Sequence, residues 1–372
     1  MSAAAERSRN APVEPDRLDP FSTPREVDRV LGHDAAAAEF ESALRSGRMH
    51  HAWLLVGPEG VGKATLAYRF ARTVLAHGEA LEDAQDVPGE HPVFRKVAGL
   101  SHPNLLLIRR SWIEKTKRYS QWISVDEVRR LRAFLGNTAG EGTWRVVIVD
   151  RADELNQNAA NALLKALEEP PPRTLFLLIS NAEGRLPITI RSRTRVLRVP
   201  GLDDAPLEQA VRAALDRDGV KADAKDLALA LALSQGSVRR ALELVSSKGI
   251  ELYDQILETI AALPDFDGGA LHKQAERLSG VNDTERLELY LALLLGLMER
   301  LIRFTATGEG GTEAERKLAK RFVSKDNLAQ WAEAWESISE AKSEAFALNL
   351  DRSLLVLNAW FRLQHLTQEH PV

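Results

Sequence analysis

Cysteine is absent from all 372 positions, which removes disulfide bridges, thiolate catalysis and cysteine-ligated zinc. Such a chain agrees with a reducing compartment, and a cytoplasmic location is the expectation. Long hydrophobic runs are also missing. The first twenty residues are polar and hold Pro12, Pro15 and Pro20, with no apolar core of the kind a signal peptide needs. The apolar stretch Leu287–Leu297 is soon followed by Glu299 and Arg300 and is too short to span a bilayer, so no membrane partner is expected. Nor is there an excess of positive charge. A formal net charge of −4 gives no whole-molecule attraction to nucleic acid, so any contact with DNA has to be local or shared with partners. No repeat or low-complexity segment stands out.

What is present is apolar material enough for real cores: 44% hydrophobic against 27% charged residues, over a length that suggests two or three domains. Residues 1–25 read as a flexible arm, and Ala35–Gly47 has helical spacing at Ala38, Phe40 and Leu44. Short apolar runs at 53–56, 105–108, 145–149, 175–179 and 196–199 read as buried strands. Helical segments at 64–76, 125–135 and 158–168 alternate with them. This alternation predicts an α/β fold, a mostly parallel sheet with helices on both faces. After Pro200 only helical periodicity remains, with helices expected at 252–263, 285–304, 326–339 and 343–366. The expected organisation is an arm (1–25), an α/β domain (26–200), a small helical lid (201–248) and an all-helical C-terminal domain (249–372).

Gly57-Pro58-Glu59-Gly60-Val61-Gly62-Lys63 has the G-x-x-x-x-G-K spacing of a phosphate-binding P-loop, after a buried strand and before a helix. Glycines at 57, 60 and 62 let backbone N–H groups face phosphate oxygens, while the helix N-terminus and the Lys63 ammonium add positive charge. The next residue in such loops is Ser or Thr, whose hydroxyl binds Mg²⁺. Here it is Ala64, with Thr65 one place on and about 100° around the helix. Val146–Val149 followed by Asp150 has the form of the second acidic motif, whose aspartate holds Mg²⁺ through water. The glutamate that polarises the attacking water in active ATPases is replaced by Arg151, and a cation cannot be a general base. Weak or vestigial ATP binding, poor handling of Mg²⁺ and little or no hydrolysis are therefore expected.

Ten residues beyond that strand come Asn161-Ala162-Leu163-Leu164-Lys165-Ala166-Leu167-Glu168-Glu169-Pro170-Pro171, then Ser180-Asn181, then Leu186-Pro187 and Ile190-Arg191-Ser192-Arg193-Thr194. Over residues 25–245 this series resembles the clamp-loader branch of the AAA+ ATPases, and within it the hydrolysis-deficient stator subunits of bacterial DNA polymerase III. The C-terminal helices match only in character. The resemblance implies an AAA+ core, a lid and a C-terminal collar-type oligomerisation domain. It makes Arg193 an arginine finger offered in trans to a neighbour's ATP, with Thr194 where the family has cysteine. It makes Asn181 the γ-phosphate sensor and Arg239, in Gly236-Ser237-Val238-Arg239-Arg240, the lid arginine. Implied partners are the motor and delta-type subunits, the sliding clamp and, through the assembled complex, primed DNA. Subunits of this branch often carry a four-cysteine zinc module; the corresponding segment here, 78–97, has no cysteine and holds no zinc that way.

Two other readings stay open on the residues. One is a self-sufficient motor-like ATPase with rearranged ligands, opposed by Ala64 and Arg151 together. The other is a solitary DNA-binding module, opposed by the net charge and by the lack of an aromatic-basic cluster, with Lys115-Thr116-Lys117-Arg118 read as a solvated loop.

Overall fold

The structure is a computed structural model that describes residues 14–15, 17–78, 86–115, 118–136, 143–280, 284–348 and 350–369. The chain forms two compact units, Met1–Ala222 with Ser234–Leu242, and Asp223–Leu233 with Glu243–Val372. The segment expected as a separate lid is thus divided between them.

In the first unit, α1 (Asp34–Arg45) leads into β1 (Ala52–Val56) and α2 (Lys63–His77), followed by α3 (Pro92–Ala98) and β2 (Leu105–Ile108). A two-stranded hairpin, β3 (Trp112–Ile113) and β4 (Arg118–Tyr119), precedes α4 (Val125–Gly136), β5 (Arg145–Val149) and α5 (Gln157–Glu168). The chain continues through β6 (Thr174–Ser180), α6 (Ile188–Arg191), β7 (Arg195–Arg198) and α7 (Asp204–Asp218). Five strands make one parallel sheet in the order β2-β5-β6-β1-β7, with Leu54 paired to Leu178 on one side and Val196 on the other.

The central strands β1, β5 and β6 are mostly apolar because both faces are covered, whereas edge strand β7 keeps Arg195 and Arg198 exposed. Trp53, Leu55, Ile148 and Leu177 enter one core, roofed by Phe40 of α1 and Leu66, Phe70 and Val74 of α2. Their neighbours Leu54, Val147, Phe176 and Leu178 enter the other, under α4 and α5. Phe40 stacks on Phe70 at 3.7 Å between centroids and meets Trp53 edge-on at 5.1 Å. The period-2 division of each strand between two cores fixes its register, since a slip of one residue would exchange the two sets.

The flexible arm is corrected over its described second half. Phe21 is buried, Glu14 accepts from Arg25 and Arg109, and Asp218 of α7 accepts from the backbone N–H and hydroxyl of Ser22. One apolar anchor and two carboxylate clasps are enough to dock a segment whose prolines suggest open chain. Residues 1–13 and 16 lie outside the described residues. In the cysteine-free segment 78–97, residues 79–85 also lie outside them, and α3 begins at Pro92, capped by His91, whose Nδ1 accepts from Val93 N–H at 3.2 Å. Residues 116–117 of the basic loop fall outside them too.

The second unit consists of α8 (Ala224–Leu233), the end of α9 (Val238–Ser246), α10 (Gly249–Ala261), α11 (Gly268–Leu278), α12 (Thr284–Thr307), α13 (Glu313–Phe322), α14 (Leu328–Leu348) and α15 (Arg352–Glu369). Sequence periodicity passes over α11 and α13. It also puts the last break near residue 340, whereas α14 runs unbroken to Leu348. Leu291, Leu294, Trp331, Val356 and Trp360 share one core. Within it, Trp360 Nε1 donates to Tyr290 Oη at 2.8 Å and Trp331 Nε1 to the Phe322 carbonyl at 3.1 Å. Glu315, 1% exposed, accepts from Tyr253 Oη at 2.5 Å and from Arg300 Nε at 2.8 Å, and its other oxygen closes a capping box with Thr312 N–H at 2.7 Å. No helix among the described residues is long and apolar enough to cross a membrane.

Candidate nucleotide-binding site

Strands β1, β6 and β5 are adjacent in the sheet, so the segments leaving their carboxyl ends meet at one edge, where open α/β sheets hold ligands. Gly57 follows β1, Asn181 follows β6 and Asp150 follows β5. Asp150 and Asn181 line a cavity of about 240 Å³ together with Gly60, Gly62, Lys63, Ala64, Thr65 and Arg239. Gly57 does not line it, but its carbonyl accepts from Lys63 at 2.8 Å, and a Cβ there would come within 1.8 Å of the Val199 carbonyl oxygen. Eight of the ten site residues named from sequence therefore line one cavity, and Gly57 touches it through Lys63. The tenth, Arg193, is not among the residues lining the cavity.

Two loop glycines are required by geometry. Gly62 has φ +107, in the region open to glycine, and from there α2 starts. At Gly60 (φ +77) a Cβ would stand 2.4 Å from Ser237 Oγ and 2.6 Å from Arg239 Cβ. The segment carrying Arg239 thus lies directly on the loop, where Ser237 Oγ donates to the Glu59 carbonyl at 2.9 Å and Arg239 N–H to the Gly60 carbonyl at 3.2 Å. His33 supports the loop from the other side, Nε2 donating to the Val61 carbonyl at 2.6 Å. Burial lowers its pKa, which favours the neutral ring.

Lys63 is buried, and its ammonium donates to the carbonyls of Gly57 and Pro58 at 2.8 and 2.5 Å. Burial pulls its pKa down to about 8 against the opposing pull of Glu59, Asp153 and Asp150. A charge held this way is stabilised by a phosphate anion, which fits the cradle of backbone and lysine. Magnesium does not fit. Ala64 presents a methyl group, and Arg151 places a guanidinium beside Asp150. Arg151 takes a left-handed backbone, φ 63 and ψ 62, and pairs through Nε with Glu154 at 3.0 Å. Burial works against its charge, but Glu59, Glu154, Asp153 and Asp150 raise its pKa above the usual arginine value. Asp153, buried, accepts the Asn181 backbone N–H at 3.1 Å and so sets the position of Asn181.

Several residues at the cavity were not singled out from sequence: His33, Arg110, Arg217 and, from the arm, Leu18 and Phe21. Arg110 lies just past β2, and only the strand order puts that strand beside β5 and its acids, where Arg110 pairs with Glu154 at 2.9 Å.

Residues 32–203 match the family described as DNA polymerase III, delta subunit. The DNA polymerase III subunit delta' of Pseudomonas aeruginosa is 38% identical over 215 residues, 57% of this chain and 61% of that one. Over its first unit the chain is thus similar to delta-type subunits of DNA polymerase III, the delta prime subunit among them. The tau subunit of Escherichia coli is more distant, 26% identical over 301 residues, 75% of this chain and 44% of that one. The chain thus spans about three fifths of its delta prime relative and under half of the tau subunit. Among solved structures, a DNA polymerase III gamma subunit-related protein of Thermotoga maritima aligns with 88% of this chain and 99% of its own at 17% identity and a TM-score of 0.39, a likeness that carries no further weight. Ala64 and Arg151 thus stand beside a loop whose glycines and lysine keep the P-loop spacing.

Proposed function

We propose that this chain is the stator-like subunit of a clamp loader, which helps place a sliding clamp on primed DNA and lends Arg193 to a neighbouring subunit's ATP. The observation that carries this reading is the position of Arg193. It follows α6, outside the cavity of its own chain, with its side chain 38% exposed and paired to Glu168 at 2.8 Å. An arginine that has no part in its own chain's site and rests in a surface ion pair can be given to another chain. The chain's own cavity supports nucleotide binding without hydrolysis, because Ala64 and Arg151 each remove a separate catalytic part. The motor-like alternative meets both obstacles. Partners on this reading are motor and delta-type subunits, the clamp and primed DNA.

Steady-state phosphate release by the purified chain tests it, with and without primed DNA. Negligible turnover is expected, and a rate near ~1 s⁻¹, the low end for ordinary enzymes, would sink the stator reading in favour of the motor.

Assembly is assigned on this reading to the C-terminal helices. Leu354 and Phe361 of α15 are 53% and 49% exposed and seven residues apart, so they lie on one face. Leu354→Asp with Phe361→Asp should leave the monomer's melting curve within roughly 1 kcal/mol of wild type, as exposed changes do, and abolish co-elution with motor subunits. Undiminished co-elution would place the interface elsewhere.

A further inference from the structure

We infer that the cavity takes a metal-free polyphosphate, with the Arg151 guanidinium serving as the counter-cation that Mg²⁺ supplies in active P-loop ATPases. This rests on the nucleotide-binding reading above and adds what kind of anion the site selects.

The case begins with what a metal would meet. Its usual hydroxyl ligand is the Ala64 methyl, and the hydroxyl of Thr65 belongs to the next position around α2. The nearby carboxylates already have partners. Glu154 is shared by Arg151 at 3.0 Å and Arg110 at 2.9 Å, and Asp153 accepts the Asn181 N–H at 3.1 Å. A divalent ion would arrive among Lys63, Arg110 and Arg151, all lining the same cavity, and like charges at such range repel strongly.

What an anion would meet is different. Arg151 reaches the phosphate loop itself, with Nη1 3.6 Å from the carboxylate of Glu59. That carboxylate, 59% exposed, is an anion already lying beside the guanidinium and the loop. A phosphate group can take its place, offering two oxygens to a planar fork that suits bidentate contact. Lys63, now donating to two carbonyls of its own loop, supplies a second cation once an acceptor of greater charge arrives. The left-handed backbone at Arg151 supports the same assignment. A non-glycine residue in that region is uncommon and is held by its surroundings, here by the turn that opens at Ala152.

Free ATP carries more negative charge than its magnesium complex, so a site with built-in cations should prefer the free form. The test is calorimetric titration of the full chain with ATP, once in EDTA and once in excess Mg²⁺. Binding in EDTA is expected to be at least as tight as in Mg²⁺. Arg151→Gln, with an unchanged melting curve in the absence of nucleotide, should weaken binding in EDTA roughly 10- to 100-fold, the loss of a charge-assisted contact. Binding that requires Mg²⁺ would overturn the inference and leave nucleotide binding standing, and that comparison needs no variant. Unweakened binding by the glutamine variant would also overturn it. Absence of binding under both conditions would defeat the nucleotide reading and this inference with it.

Discussion

Arg193→Ala is expected to leave the isolated chain folded while cutting clamp loading by the reconstituted complex severely. Within its own chain the side chain makes only modest interactions: the pair with Glu168, whose partners are 38% and 47% exposed, and donation to the Thr189 carbonyl at 3.1 Å and to Ser192 Oγ at 3.3 Å. Exposed pairs of this kind contribute about 0–1 kcal/mol. On the proposed reading the effect in trans is far larger. An arginine placed on a neighbour's γ-phosphate supplies on the order of 10³-fold at that site. Because a complex with several sites loses only the share fired at this interface, total DNA-stimulated ATPase should fall partially and clamp loading more steeply. Arg193→Lys should not rescue either activity, since an ammonium lacks the fork geometry. Glu168→Gln is the informative companion: it releases Arg193 from its resting partner and should leave loading intact. Both activities can be measured on one reconstituted preparation. Wild-type loading by the alanine variant would show that Arg193 is only a surface charge.

The strands and the loop were legible because each depends on local chemistry. A parallel strand covered on both faces reads as an apolar run, and Leu105–Ile108 and Arg145–Val149 fall within the bounds their residues imply. Gly60 and Gly62 were legible because a side chain there meets Arg239 or demands a rare backbone. What escaped depends on distant partners. The docking of Phe21 and Glu14 needs Arg109, Arg25 and α7, which no local pattern joins to the arm. Arg110 gains its acidic partner only through the order of the sheet, in which β5 lies beside β2. The helix α13 was hidden by its own charge. Glu313-Ala314-Glu315-Arg316-Lys317-Leu318-Ala319-Lys320-Arg321-Phe322 shows few apolar residues, because one of its buried positions is a glutamate. Charge at a buried place is invisible to a hydrophobic pattern, and this glutamate is the most buried charged group among the described residues of the second unit.

That burial makes Glu315→Gln a strongly destabilising change. The carboxylate accepts from Tyr253 Oη at 2.5 Å, Arg300 Nε at 2.8 Å and the Thr312 N–H at 2.7 Å. Arg300 is itself buried, its side chain 8% exposed. Replacing the acid by an amide keeps the shape but leaves a guanidinium in the core without a counter-ion, and breaking a buried pair in this way costs about 3–5 kcal/mol. For units of this size that is a fall in melting temperature on the order of 10 °C. Tyr253→Phe removes one donor and no charge, so it should cost less, about 1–2 kcal/mol. Removing both charges is the decisive control. Arg300→Met with Glu315→Leu replaces the pair by apolar groups of similar volume, an exchange often neutral or stabilising, and should recover most of the loss in the single variant. Helical circular dichroism through thermal and urea unfolding measures all three. A glutamine variant within roughly 1 kcal/mol of wild type, the range of ordinary exposed changes, would mean that Arg300 finds water or another acceptor, and that the triad does not hold α10, α12 and α13 together.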